Sequence, residues 1–449
     1  MKISLRIRPE SKAIRDRTLL LSDQYSARLR RFLLIPLLLI TVQFIFAQQT
    51  DQYILLKPDR VFDGEKMQTG WVVLLKNNII EQAGAMQFKL PAGTKIIELK
   101  GCTLLPGLIE GHSHLFLHPY NETSWDDQVL KESRVERTAR AVNHAKATLF
   151  AGFTTIRDLG TEGAMYDDAG LKKAIEKGVI PGPRMIIATR AIVATGSYGV
   201  KSESPDVDYP KGAAEVANAG EMAREVRTQI SKGADVIKIY ADYRWGRDDE
   251  ARPTFTQDEI AIAVNIAKSS NREVVVHSST AEGMLRSINA GASTIEHGDN
   301  GTGEIFKLMK EKNVALCPTL AATEATQQYK GWRKGVDPDT ERIIAHKKSF
   351  TLALQSGVRI CMGGDVGVFA HGDNAREMEL MAEYGMPAID VLKSATSVNA
   401  DVFGYGDKIG RIKKDLSADV IAVDGDPSTD IKNIRKIKLV IKDGVIYKQ

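Results

Sequence analysis

The chain alternates between short apolar runs that predict strands and longer stretches that predict helices. Its middle part contains eight apolar runs, at residues 104–111, 152–160, 184–193, 234–241, 272–279, 293–298, 314–320 and 359–367. The stretches between them are helix-like, and several end in Gly or Asn, which helix C-termini prefer. Eight strand–helix units of this kind predict an α/β protein with a (β/α)8 TIM-like barrel over residues 104–400.

A doubly wound open sheet would show the same alternation of strands and helices. No GxGxxG or P-loop motif accompanies any of the eight runs, so the pattern favours the barrel. Both ends of the chain are strand-rich instead, with turn residues such as "DG", "KNN" and "PAG" between the apolar runs. We therefore predict that residues 48–103 and 401–449 together form one small β-sandwich domain.

The N-terminal segment has the order of features that is typical of a signal peptide. Its first 31 residues carry nine Lys or Arg against three acidic residues, and an uncharged apolar run, Phe32–Ala47, follows. The sequence then turns polar at Gln48. This order predicts that residues 1–47 are a signal peptide and that the protein is exported, to the periplasm or out of the cell. An uncleaved membrane anchor stays open as the alternative, because the run is only just short of a spanning length.

Charge and cysteine content narrow the class of protein further. The whole chain has a net charge of +4, of which the first 31 residues supply +6, so the rest carries −2. A nearly neutral body gives no reason to expect a nucleic-acid partner. Three cysteines, Cys102, Cys317 and Cys361, are too few for a disulfide framework.

The predicted strands end in residues that bind metals. In a barrel the carboxyl ends of the strands converge on one face, where the chemistry takes place. Those ends supply His112, His114, Lys238, His277, His297 and Asp365, which include four of the eight histidines of the chain. His112 and His114 are two residues apart, so on a strand they point to the same side. Neutral imidazoles and a carboxylate are common ligands of zinc and similar divalent ions.

Lys238 does not fit this set as an ordinary ammonium group. A lysine that points into a barrel beside metal cations would have a depressed pKa. Its neutral amine can take up carbon dioxide and become a carbamate, whose two oxygens can bridge two metal ions. The alternative is a lysine paired with a carboxylate, in a site that holds one metal.

These residues and their surroundings resemble the amidohydrolase superfamily, in particular its two-metal barrel members with a carboxylated lysine. The resemblance covers residues 52–449 and rests on "GLIEGHSH", "GFTTIRDLG", "GADVIKIYAD", "TIEHG" and "GGDVG". Within the superfamily the chain is similar to the imidazolonepropionase-related branch, which includes Xaa-Pro and Xaa-Arg dipeptidases. Those relatives often carry TGGHG after strand three, whereas this chain has "ATGSYG", with Tyr198 in place of the histidine.

The resemblance implies a specific set of ligands and roles. One metal would be held by His112, His114, Lys238 and Asp365, and the other by Lys238, His277 and His297. A hydroxide between two divalent ions, expected to be zinc, would attack the scissile carbonyl. Asp365 would shuttle the proton to the leaving amine, and Tyr240 would hydrogen-bond the developing oxyanion. Tyr198 and His371 are candidate substrate contacts.

The sequence therefore predicts an exported, metal-dependent amidohydrolase. Its expected reaction cleaves an amide or peptide C–N bond in a small carboxylate-bearing substrate, such as a dipeptide or N-acyl amino acid. One alternative is the opening of a cyclic amide, as in imidazolonepropionase, and another is a non-catalytic barrel that serves as a binding module. The expected partner is a small molecule, with membrane contact only through an uncleaved N-terminal segment, and a homo-oligomer is left open.

Overall fold

The computed structural model describes residues 51–200, 204 and 206–449. The predicted signal peptide lies outside these described residues. Within them, the strands are β1 Tyr53–Phe62, β2 Met67–Thr69, β3 Trp71–Lys76, β4 Ile79–Ala85, β5 Lys95–Pro106, β6 Leu108–Ser113, β7 Phe153–Asp158, β8 Arg184–Ile187, β9 Ile192–Ala194, β10 Ala214–Val216, β11 Ile237–Tyr240, β12 Asp242–Arg244, β13 Ala251–Pro253, β14 Val274–Ser278, β15 Thr294–His297, β16 Ala315–Cys317, β17 Val420–Asp424, β18 Ile437–Lys442 and β19 Val445–Lys448.

The helices follow most of the parallel strands, as the alternating pattern predicts. They are α1 Trp125–Lys131, α2 Arg134–Phe150, α3 Asp167–Glu176, α4 Ala219–Lys232, α5 Gln257–Lys268, α6 Ala281–Ala290, α7 Gly303–Glu311, α8 Leu320–Tyr329, α9 Glu341–Ser356, α10 Ala375–Glu383, α11 Ala388–Lys393 and α12 Asn399–Val402. A π-helical turn, Ser394–Val398, joins the last two, and a 3₁₀ turn covers Ile431–Arg435. None of the described helices is long and apolar enough to cross a membrane.

Both ends of the chain contribute to one sheet. Its order is β19-β18-β17-β5-β1-β3-β4, with β2 paired to β1, so β5 from the first end lies beside β17 from the last. The eight strands form one continuous hydrogen-bonded sheet. A sandwich can be built from one sheet that folds over on itself, so the predicted β-sandwich stays a prediction. The register of β1 against β5 shifts between Pro58 and Arg60. Such bulges bend a strand, and side chains from both parts of the sheet pack into one apolar cluster that includes Leu56, Leu104 and Val420.

The parallel strands form two arcs. One has the order β6-β7-β8, and the other has the order β10-β9-β11-β14-β15-β16. Isolated parallel bridges link Leu316 of β16 to Ile360, and Ser113 of β6 to Val366. The described strands thus give a mixed α/β fold whose ladders are not joined into one closed barrel.

Three of the eight predicted strands differ from the structure. The run 104–111 is divided at Gly107, where a Cβ atom would lie 2.0 Å from the Thr154 hydroxyl, and its first part belongs to the end sheet. The run 184–193 is divided between β8 and β9, with Thr189 at a φ of 62° between them. The run 359–367 has two bridges but no regular strand, because its backbone passes too close to its neighbours. A Cβ at Gly363 would lie 2.7 Å from the His112 nitrogen.

Candidate metal centre

Two histidines leave the end of β6 side by side. All six residues of β6 are buried, so the strand holds the backbone of His112 and its neighbour in the core. The ring centroids of His112 and His114 lie 5.3 Å apart, and both side chains are almost fully buried. The spacing of two residues therefore places two imidazoles together, as the alternation along a strand requires.

Asp365 faces both of these imidazoles. Its Oδ1 atom lies 3.6 Å from His112 Nε2 and 3.2 Å from His114 Nε2. Its backbone has a φ of 61°, just after the close-packed glycine pair. Two ligands of a tetrahedral zinc ion, each about 2.1 Å from it, are about 3.4 Å apart. The separations in this group therefore fit a bound divalent ion.

Lys238 and two further histidines complete the cluster. Lys238 Nζ lies 3.5 Å from His112 Nε2 at the centre of β11, and its side chain is fully buried. The ring of His297 lies 5.1 Å from that of His112 and 4.4 Å from that of His277. The structure thus brings together all six residues that the strand ends suggested.

Two groups of described residues place ligand atoms close enough to share an ion. In the first, His112, His297 and Asp365 each offer an atom within 4.8 Å of the others. The second combines His112 with Glu296 and Cys317. Glu296 already pairs with Arg157 at 2.8 Å and with His112 Nδ1 at 2.8 Å. The first group therefore suits a metal better, because the acceptors of the second are already used inside the protein.

The other ring nitrogens of the histidines are held by the surrounding protein. His112 Nδ1 meets Glu296, His114 Nδ1 lies 2.8 Å from the Gly160 carbonyl oxygen, and His297 Nδ1 lies 2.7 Å from Thr319 Oγ1. Such partners fix the orientation of an imidazole and turn its free nitrogen toward the metal. For His112 and His114 the free Nε2 atoms are those that face Asp365.

Burial and local charge set the protonation of the cluster. Burial lowers the pKa of His112 to about 4 and that of His277 to about 3, and it also lowers the pKa of Lys238. Burial opposes protonation of His114 too, but its bond to Asp365 raises the pKa to about 9. Burial alone would raise the pKa of Asp365, yet the neighbouring histidines hold it at about 2. Without a metal, the cluster thus combines neutral imidazoles at His112, His277 and His297 with an ion pair between protonated His114 and ionised Asp365.

The four histidines and Asp365 form the floor of a cavity of about 590 Å³, which Lys238 does not line. Tyrosines 120, 198, 240 and 243 line one side of it, and Arg244 and Arg342 line the outer part. Tyr240 stacks on His277 with ring centroids 4.5 Å apart, and burial raises its pKa, so its hydroxyl keeps its proton. Arg342 Nε donates to Asp299 at 3.2 Å, which fixes this guanidinium at the wall.

Glu162 organises the aromatic wall. It accepts hydrogen bonds from the Tyr198 hydroxyl at 2.5 Å, from Trp125 Nε1 at 2.9 Å and, weakly, from the Tyr240 hydroxyl at 3.4 Å. Its side chain lines the cavity although it is almost fully buried. Tyr198 thus lies at the cavity as a partner of a carboxylate.

His371 lies beside the cluster but is not among the described residues that line the cavity. Its Nε2 atom lies 3.0 Å from the Leu117 carbonyl oxygen. Its ring stacks on His144 with centroids 4.3 Å apart. Its predicted role as a substrate contact is not supported by this placement and stays a prediction.

The sequence reasoning did not identify Glu162, Glu296 or Thr319. A signal was present for Glu296, because "STIEHG" puts a charged residue inside an otherwise apolar strand, and "TTIRDLG" does the same for Arg157. Such a pair in two buried strands predicts an ion pair. Glu162 and Thr319 lie in loops at positive φ, 48° and 53°, and no local pattern distinguishes them.

Comparison with protein families and with known proteins identifies relatives that are hydrolases. The model of the amidohydrolase family matches residues 103–447. An ochratoxinase from Aspergillus niger is 30% identical over 378 residues, which are 77% of this chain and 75% of that protein.

Solved structures agree with this assignment. The crystal structure of a Xaa-Pro dipeptidase with methionine in its active site has a TM-score of 0.78 at 31% identity, and the match covers 89% of this chain and 100% of that one. A prolidase in complex with N-methylphosphonate-L-proline has a TM-score of 0.77 at 25% identity, with 89% and 100% covered. This chain therefore belongs to the amidohydrolase family and is a hydrolase that acts on carbon–nitrogen bonds.

Proposed function

We propose that the protein is a metal-dependent hydrolase of small carboxylate-bearing amides, such as dipeptides or N-acyl amino acids. The observation that carries this proposal is the convergence of four histidines and one carboxylate on the floor of a single cavity, with the buried Lys238 amine 3.5 Å from His112 Nε2.

The metal would be held by residues from both arcs of strands. His112, His114 and Asp365 would form one part of the site and His277 and His297 the other, with Lys238 between them. The lowered pKa of Lys238 supports a carbamate on its amine, since only a neutral amine takes up carbon dioxide. Bound divalent ions, which we expect to be zinc, would acidify water and polarise the scissile carbonyl.

The protein's own groups account for the remaining steps. Asp365 is ionised at neutral pH and lies where it can accept a proton and return it to the leaving amine. The protonated Tyr240 hydroxyl is only weakly bonded to Glu162 at 3.4 Å, so it is free to donate to a developing oxyanion. Arg244 at the outer wall favours a substrate with a carboxylate, because an arginine fork binds carboxylates in two places.

The wider architecture is part of the proposal. We infer that the two arcs, together with residues 359–367 between them, are the eight units of a (β/α)8 barrel, as the bridges at Ile360 and Val366 support. Export through residues 1–47 and assembly into a homo-oligomer stay predictions of the sequence. The relatives named for Xaa-Pro dipeptides support the choice of substrate class.

The proposal is tested by a substrate screen of the full chain. The protein is incubated with a library of dipeptides, N-acyl amino acids and cyclic amides, and its metal content is measured in the same preparation. We expect release of an amino acid from one of the first two classes by protein that carries metal. Turnover of cyclic amides alone would contradict the proposed substrate class.

A further inference from the structure

A second cavity lies at the opposite ends of the parallel strands. It has a volume of about 530 Å³. Its wall includes Val236, Glu273 and Ser293, which stand at or just before the starts of β11, β14 and β15. No described residue lines both this cavity and the one above the histidines. We call it the amino-end cavity.

Three cations line the amino-end cavity without an ion pair. They are Lys268 at the end of α5, Arg272, and Lys408 in the segment after α12. No salt bridge within the described part of the chain uses any of them. Arg272 is held in place by neutral groups, since its Nε donates to the Ala234 carbonyl oxygen at 2.6 Å and its Nη1 to that of Ser270 at 3.2 Å. The guanidinium is thus positioned while its charge is left uncompensated.

The two acidic groups of the cavity do not neutralise these cations. Asp235 is paired with Lys172 at 2.7 Å and accepts from the Ile187 nitrogen at 2.9 Å. Burial raises the pKa of Glu273, and its side chain bonds to Ser293 instead of to one of the three cations. The wall therefore has an excess of positive charge.

The inner end of the cavity is formed by Arg157 and an aromatic ring. The Arg157 guanidinium lies 4.1 Å from the centre of the Phe403 ring, and both side chains line the cavity. Tyr405 lies on the same wall. Arg157 itself is paired with Glu296 at 2.8 Å, so the positive potential of the cavity comes from Lys268, Arg272 and Lys408.

We propose that the amino-end cavity binds a multivalent oxyanion of the phosphate or sulfate type, at a site separate from the metal centre. Cations that line one cavity repel each other, and an anion with several acceptor oxygens removes this repulsion. Charge-assisted hydrogen bonds from lysine and arginine to such an anion are among the stronger polar contacts in proteins. The site thus has the chemistry of an effector site rather than of a second active centre.

The location is tested by soaking crystals of the full, metal-loaded protein in selenate and recording anomalous diffraction. We expect a selenium peak among Lys268, Arg272 and Lys408. Selenate found only at the histidine cluster, or absent from the amino-end cavity at saturating concentration, would overturn the proposal.

The affinity is tested by calorimetric titration with inorganic sulfate. The double variant Lys268→Ala/Lys408→Ala should bind sulfate about tenfold more weakly than the parent, a difference of about 1.4 kcal/mol, because two of the three cations are removed. A matched control, Lys307→Ala/Lys312→Ala, removes the same charge from outside the cavity and should bind as the parent does. Equal affinity of the parent and the Lys268/Lys408 variant would overturn the proposal, provided that circular dichroism shows both to be folded.

Discussion

Two layers of buried polar side chains lie in the same parallel strands and differ in how their burial is compensated. The metal-facing layer consists of His112, His114, Lys238, His277, His297 and Asp365. The ion-pair layer beneath it consists of Arg157, Thr294 and Glu296. In the ion-pair layer, Arg157 donates to Glu296 at 2.8 Å, to the Thr294 hydroxyl at 3.2 Å and to the Gly111 carbonyl oxygen at 2.7 Å.

The metal-facing layer lacks this internal compensation. Burial lowers the pKa of His112, His277 and His297, which keeps these imidazoles neutral, and it also lowers the pKa of Lys238. Within this layer only His114 is kept protonated by an acidic partner, Asp365 at 3.2 Å. In the ion-pair layer the Arg157 charge holds the pKa of Glu296 well below its usual range despite burial. The charges of the ion-pair layer are therefore compensated within the protein, whereas the metal-facing layer presents lone pairs that a metal ion can bind.

The largest effect is expected from Lys238→Met, which removes the bridging candidate from the metal-facing layer. Methionine keeps the length of the side chain but can form no carbamate, so at least one metal per chain and nearly all turnover should be lost. The measurement is metal content by mass spectrometry together with the rate on the substrate found in the screen. Full metal content and a normal rate would show that Lys238 contributes only to packing.

Asp365→Asn should separate metal binding from proton transfer. The amide keeps one oxygen donor but cannot accept a proton, so metal should be largely retained while kcat falls by roughly 10²–10⁴-fold. Steady-state kinetics on metal-loaded protein give the answer. If the variant kept its rate within a few-fold of the parent, the proton shuttle would have to be a different group.

Glu296→Gln should mainly lower the free energy of unfolding, because Glu296 belongs to the ion-pair layer. It leaves the buried Arg157 without its countercharge, which costs about 3–5 kcal/mol of unfolding free energy. Denaturant unfolding measures this loss. Glu282→Gln is the matched control, because Glu282 pairs with Arg286 on an exposed helix face and should change stability little. Equal effects of the two substitutions would remove the distinction between the layers.

Thr319→Ala should weaken metal binding without removing a ligand. The Thr319 hydroxyl holds His297 Nδ1 at 2.7 Å, and loss of such a partner reduces metal affinity by about 10–100-fold. Thr319→Ser keeps the hydroxyl and should bind metal nearly as the parent does. Chelator competition measures both affinities, and identical values for the Ala and Ser variants would argue against this positioning role.

His277→Gln should change the pH dependence of stability in the metal-free protein. The pKa of His277 is about 3 in the folded state, below its ordinary value of 6.5. The unfolded chain thus binds more protons in this interval, and the contribution of His277 to stability falls as pH drops from 6.5 toward 3. The melting temperature of the variant should therefore rise relative to the parent between pH 7 and pH 5. A constant difference would contradict the assigned pKa.

The sequence predicted the metal-facing layer because position along a strand decides it. Because side chains alternate along a strand, His112 and His114 point to the same side. Because the carboxyl ends of the strands converge, Lys238, His277 and His297 lie near them. The irregular backbone of residues 359–367 could not be predicted, since the close approach of Gly363 to His112 depends on tertiary packing. The strand order of the end sheet could not be predicted either, because strand bounds do not specify which strands pair. Glu162 and Thr319 lie in loops, whose conformation the sequence pattern does not encode.

The central claim is that the metal-facing layer works through a bound divalent ion. The most direct measurement strips the purified full chain with a chelator, restores zinc in steps, and follows amide hydrolysis and bound metal together. We predict that hydrolysis is lost on stripping and returns in proportion to the metal bound at this cluster, with the Lys238→Met variant failing to recover. Hydrolysis by fully stripped protein at the rate of the restored protein would contradict the account.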